Sequence, residues 1–183
     1  MPLPKPAPRK PLHTRSIVCD GFEREDGLWD IEARMEDIKH YAFDSKFRGD
    51  VAPGVPLHEM YLRLTLNDEL EVQDVAASID YAPFKGCPDI AVDYGKLVGA
   101  KIGIGWRRAV KERLGGRLGC THLTELLSVM ATVAIQTIMP VMMRRSREEA
   151  AKKSRPLMLD SCHSWASDGP NVKEFAPDFY TGD

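Results

Sequence analysis

Alternation of period two dominates the first half of the chain. In DGLWDIEARMEDIK, Trp29, Ile31, Ala33 and Met35 fall on one side, with Asp30, Glu32, Arg34 and Glu36 on the other. That is the spacing of a half-buried strand. A run beginning near Thr14 joins it across EREDG, an acidic turn closed by glycine, so the two runs predict a hairpin. HEMYLRLTLND repeats the pattern, setting Met60, Leu62, Leu64 and Leu66 against Tyr61, Arg63 and Thr65. NDEL then reads as a tight turn and LEVQDVAASIDYAP as the returning strand. Together these runs predict an antiparallel sheet of about four strands.

The period changes in the second half. PDIAVDYGKLVGAKI and GWRRAVKERLGG read as short helices broken by Gly99, Gly103 and Gly105. The stretch from Thr121 to Lys153 reads as one long helix, kinked or interrupted near Pro140. Its apolar stripe, Leu123, Leu126, Leu127, Met130, Val133, Ala134, Thr137 and Ile138, should face the sheet. Strands first and helices second is the α+β pattern. The expected architecture is an α+β domain over residues 13–166, with helices packed on one face of the sheet and a long C-terminal helix. A Pro-rich disordered arm over residues 1–12 and an irregular acidic tail over 167–183 should flank it.

Composition narrows the function classes without choosing among them. A chain of 183 residues, 43% hydrophobic and 28% charged, is ordinary globular material that can bury a core unaided. The net charge of −2 points to neither a nucleic-acid nor a membrane partner. The longest apolar run, Leu123 to Met143, is interrupted by Thr, Glu, Ser, Gln and Pro. It is not expected to span a bilayer. The N-terminus lacks the apolar centre of a secretory signal, so the expected location is the cytoplasm. There, Cys19, Cys87, Cys120 and Cys162 should be free, metal-bound or catalytic rather than disulfide-paired.

The densest candidate chemistry lies in GGRLGCTHLTELL. Gly115, Gly116 and Gly119 free the backbone just before Cys120, and His122 follows in the first turn of the predicted helix. Unpaired N–H groups at a helix start favour a thiolate there. Cys87, in FKGCPD, also follows a glycine and opens a predicted helix with Pro88, and Asp89 follows two residues on. His58 stands at the entrance of a strand. Cys162 and His163 form a third pair in a loop, Cys19 in an early strand reads as packing or exposed, and His13 and His40 carry no signal. The plain alternative is that the two cysteines are small packing residues and the histidines surface or capping groups. Thiolates with imidazoles suit zinc or an iron–sulfur cluster. No C-x-x-C pair is present, so the ligands would have to converge from separate loops.

The blocks DGLWDIEARMEDIK, HEMYLRLTLND, GCPD…LVGAKIGIGW and GGRLGCTHLTELL resemble a bacterial family known only as a domain of unknown function. The likeness runs roughly from Arg15 to Trp165, and GCTHL is its most specific block. A weaker similarity is to U-type iron–sulfur scaffold and sulfur-acceptor proteins. It is carried by MYLRLTLNDELEVQDVAAS and by the placing of Cys87 and Cys120. It implies a metal or sulfur site with a changed ligand set. PGVPLHEM, where the scaffold's first cysteine and aspartate lie, has no cysteine and places His58 near the aspartate position. Gly119 replaces the histidine that precedes the last cysteine, with His122 following instead.

These readings combine into one expectation and two rivals. The expectation is a cytoplasmic metal- or iron–sulfur-binding accessory protein, with Cys87, Cys120, His58 and His122 as ligands and Asp89 as an oxygen ligand. Its partner would be another protein or a second copy of the chain. One rival is a cysteine-dependent enzyme acting on a small acyl or thioester substrate, with Cys120 and His122 in the catalytic roles. The other is a non-catalytic interaction module.

Overall fold

Period-two alternation becomes register in the computed structural model, which describes residues 3–148, 155–156 and 158–183. β1 (His13–Glu23), β2 (Trp29–Lys39), β5 (Pro56–Leu66) and β6 (Val72–Tyr81) form an antiparallel sheet in the order β1-β2-β5-β6. Trp29, Ile31, Ala33 and Met35 stand directly opposite Leu66, Leu64, Leu62 and Met60. All eight are buried, because directly opposed residues project on the same face. A two-stranded ribbon, β3 (Phe43–Ser45) with β4 (Gly49–Val51), fills the link from β2 to β5.

Helices cover that one face, as expected. A 3₁₀ helix, Pro88–Leu97, buries Tyr94 and Leu97; α1 (Trp106–Leu114) buries Trp106, Val110 and Leu114 at helical spacing. The long helix α2 (Thr121–Glu148) begins just after Cys120 and runs through Pro140 without interruption. It buries Leu123, Leu126, Leu127, Met130, Ala134 and Ile138 in the same core. Thr121, Glu125, Ser128, Thr132 and Gln136 form its exposed stripe. By length and composition, Thr121–Arg145 is apolar enough to cross a membrane, contrary to the sequence expectation. Most of the interrupting polar residues are gathered on one stripe, Thr124 and Thr137 excepted, while the buried stripe belongs to the core. That makes it the central helix of this packing. At Gly21 of β1 the helix approaches so closely that a Cβ there would collide with Thr137.

The chain divides into two compact units, Met1–Met142 and Met143–Asp183. Residues 3–12 hold no helix or strand. The expected continuation of α2 to Lys153 lies outside the described residues. The tail is not irregular throughout. α3 (Pro170–Phe175) and a 3₁₀ turn, Pro177–Phe179, occupy it, each started by a proline whose fixed φ suits a first helical turn.

Candidate metal centre

The buried faces of β2 and β5 do not end in apolar residues. One step beyond Met35 on β2 comes Asp37, and one step before Met60 on β5 comes His58. The two are direct cross-strand partners. Just past them the register shifts, Ile38 pairing with Pro56, an irregularity of the kind that ends regular pairing beside functional groups. β1 adds Arg15, the cross-strand partner of Asp37. From above, the first turn of α2 delivers His122.

Asp37 is the hub, its side chain only 2% exposed. The Arg15 guanidinium grips it as a fork, Nε to Oδ1 and Nη2 to Oδ2, both at 2.8 Å. His58 Nδ1 lies 3.0 Å from Oδ2, His122 Nε2 4.0 Å from the same oxygen, and His13 Nε2 3.3 Å from Oδ1. The His58 and His122 rings lie partly face to face, centroids 3.9 Å apart and planes 34° from parallel. Arg15 also pairs, through Nη1, with Glu125 of α2. Burial alone would raise the Asp37 carboxyl. The hydrogen bonds and charge of Arg15, with the hydrogen bond from His58, outweigh it and hold the group at about 2. Burial pushes both imidazoles down, helped at His58 by the neighbouring His122 and at His122 by Arg15. The result is an ionised carboxylate beside two imidazoles that favour the neutral form, the protonation states a cation needs of its ligands.

Among the described residues, the group able to hold a metal ion is Asp37, His58 and His122, each offering an atom within 4.8 Å of the others. His58 and His122 are thus brought together. Cys87, Cys120 and Asp89 lie outside this group. Cys120 is nevertheless adjacent, its Sγ 3.9 Å from His122 Nδ1, on the ring nitrogen opposite the one nearest Asp37. Its backbone is fixed by the buried Tyr94 hydroxyl, which donates to the Cys120 carbonyl at 2.8 Å and accepts its N–H at 3.1 Å. Cys87 is half-buried against the core edge just before its helix, and Asp89 is exposed. Cys19 also packs against the core, where burial raises its thiol to about 11. Cys162 is exposed.

Sequence reasoning passed over Asp37, Arg15 and Glu125, and set His13 aside. The signal for Asp37 was present. It continues the 29, 31, 33, 35 parity of the buried face, and a carboxylate in core register must be paired or bound. A separate hollow of about 620 Å³ lies on the sheet's other face, lined by Glu32, Arg34, Tyr61 and Arg63 among others, away from this group.

Two comparisons with known proteins are empty: no curated protein and no solved structure matches the chain. The similarity to iron–sulfur scaffolds therefore has no support beyond the residues that suggested it. A family model does match, over residues 13–136, and it is described as Protein of unknown function (DUF2889). The match takes in the whole sheet and every residue of the Asp37 cluster.

Proposed function

We propose that this chain, which belongs to that family of unknown function, holds one divalent first-row metal ion between β2, β5 and the start of α2. His58 and His122 would be the imidazole ligands and Asp37 the oxygen ligand. The observation that carries the reading is the convergence of these three side chains from three separate elements. Its electrostatic support is the combination of an ionised carboxylate with imidazoles shifted toward neutrality. Two nitrogens and one oxygen suit iron(II) or zinc, leaving coordination positions for water or a substrate. An iron–sulfur cluster would require thiolates inside the group, and Cys87 and Cys120 stand outside it. Cys120 instead lies at the His122 nitrogen turned away from Asp37, where a group that orients a ligand ring stands.

The test is elemental analysis and visible absorbance on protein purified without oxygen, for wild type and His58→Ala. Near-stoichiometric iron or zinc in wild type, lost in His58→Ala, is the expected result. Metal-free protein that takes up neither ion on titration overturns the reading.

One observation favours a second reading, the cysteine-dependent enzyme. Cys120, His122 and Asp37 follow one another in the order nucleophile, base, carboxylate, with separations of 3.9 and 4.0 Å. Such contacts are often loose before substrate arrives. Metal-free protein in which Cys120 alone reacts rapidly with iodoacetamide, and loses that reactivity in His122→Ala, would favour it.

A further inference from the structure

The net charge of −2 hides a segregation. Between Lys96 and Arg117 the chain carries seven lysines and arginines against one acid, Glu112. Part of this charge is spent locally. Arg108 pairs with Glu112 at 2.7 Å, Lys96 with Asp93 at 2.9 Å, and Arg113 donates to the carbonyls of Lys96 and Val98. The side chains of Lys101, Arg107, Lys111 and Arg117 make no ion pair or hydrogen bond among the described residues, and all four are exposed. Arg107 and Arg108 occupy the first turn of α1, which holds no acidic residue. That is the helix end whose own dipole is positive and disfavours cations. Two arginines there work against helix stability and concentrate positive potential at one point.

At that point stands Ile104, 105% exposed, the most exposed of the large hydrophobic residues among those described. It is held out rather than left loose. Ile102 and Trp106 on either side are buried, and the Ile102 N–H donates to the Leu70 carbonyl at 2.9 Å. Gly103 and Gly105 flank it with φ of +142° and +93°, values open to glycine and strained for other residues. The Trp106 N–H closes the turn onto the Gly103 carbonyl at 3.1 Å. At the far end of α1, about 14 Å away for nine residues at 1.5 Å each, Leu118 and Val98 are also exposed apolar residues. A lone exposed aliphatic needs no explanation. One fixed at a turn tip, with unpaired cations three residues to either side of it in the chain, does.

We propose that the Ile104 turn and the exposed face of α1 dock on an anionic lipid surface, Ile104 entering the acyl boundary and Lys101, Arg107 and Lys111 meeting the headgroups. Charge complementarity selects a negatively charged partner. The aliphatic tip selects lipid over nucleic acid, since phosphates and bases offer it no apolar surface to enter. An apolar anchor combined with a basic patch is the pairing that reversible membrane attachment uses. Net charge alone gave no reason to expect a membrane partner; the uneven distribution of that charge is the reason for this proposal.

The test is co-sedimentation of the full chain with phosphatidylcholine vesicles, with and without phosphatidylglycerol, at low and high salt. The expected result is retention on the anionic vesicles only, released by salt. Ile104→Asp should lower the partition coefficient by about tenfold or more, the scale set by burying one aliphatic side chain. Arg107→Glu should lower it too. Both sites are on the surface, so an unchanged melting temperature would show the fold intact. No retention on anionic vesicles overturns the proposal. So does retention that Ile104→Asp leaves unchanged while polyglutamate competes it away, which would make the face a dock for an acidic polypeptide.

Discussion

Asp37 and His58 face each other across β2 and β5 as direct cross-strand partners, their side chains meeting at 3.0 Å on the buried face of the sheet. A carboxylate in that position is stable only while ionised and bonded. Its folded value of about 2 lies below its unfolded value near 3.9. The unfolded chain therefore binds more protons between those two values. The ionised carboxylate contributes about 2–3 kcal/mol above the unfolded value, lost as pH falls from about 4 to about 2. The two imidazoles act in the same direction in a higher window. Their folded values lie below 6.5, so stability declines as pH drops below about 6.5. Urea denaturation across this range should show two stages of acid loss. Asp37→Asn should remove the lower stage, and should also destabilise the protein at pH 7 by about 1–3 kcal/mol, because the charge-assisted bonds from Arg15 are lost even though Arg15 keeps Glu125. An unchanged lower stage in Asp37→Asn would assign it to other carboxylates.

Arg15 and a bound cation should compete for Asp37. A carboxylate has about four lone-pair positions. Here two are taken by the Arg15 fork, one by His58, and the fourth is approached by His13. A metal ion must therefore displace a partner, and Arg15 already reaches an alternative acceptor in Glu125. Arg15→Met should free two acceptor positions and remove a like charge, tightening zinc or iron(II) about tenfold, whereas Arg15→Lys should change affinity less. Isothermal titration at pH 7.5 measures this. Weaker binding in Arg15→Met would mean that the fork serves to aim the carboxylate, and that the ion takes the position between His58 and Asp37 instead.

Much of the sheet was legible because its faces repeat every two residues. The hairpins 13–39 and 56–81 and the parity of their buried sides need only that repeat and two turns. The start of α2 was legible from the glycines before Cys120. The site was legible only in part. His58 and His122 stood out as histidines beside turns. Asp37 was hidden by its setting, for it follows Glu36 in an acid-rich strand and looks like one more surface charge until register is counted. Arg15 could not be chosen from composition, since only strand pairing puts it across from Asp37. Cys87 drew attention by sharing its glycine-then-helix context with Cys120, but similar local context does not make it a member of the metal-competent group among the described residues.

Gly21 makes a prediction that runs against strand propensity. It lies on β1 opposite Ile31, where a β-branched residue would ordinarily be favoured. A Cβ there would collide with the Thr137 side chain of α2, so Gly21→Val should cost about 1–3 kcal/mol by overpacking. Thr137→Ala should recover much of that loss in the double variant while having a smaller effect alone. Thermal unfolding of the four proteins measures the coupling. Additive effects would mean that α2 is not seated on β1 at this point.

Tyr94 offers the sharpest test of how the centre is built, because it touches none of the metal-competent atoms. Its ring is fully buried. Its hydroxyl donates to the Cys120 carbonyl, accepts the Cys120 N–H, and lies 2.7 Å from Thr124 Oγ1. It thereby pins the chain on both sides of His122. Tyr94→Phe keeps the packing and removes the pin. The half-buried Cys120 N–H loses its partner, while the carbonyl keeps the Thr124 N–H, at about 1 kcal/mol. His122 then gains freedom to leave Asp37, whereas His58, held in the β2–β5 ladder, does not. Metal affinity should fall severalfold in Tyr94→Phe, and the loss should vanish in a His122→Ala background, where nothing is left for the pin to hold. A Tyr94→Phe protein that is less stable yet binds metal as tightly as wild type would show that the first turn of α2 is held by Leu123 and Leu126 in the core, and that His122 is positioned without the hydroxyl.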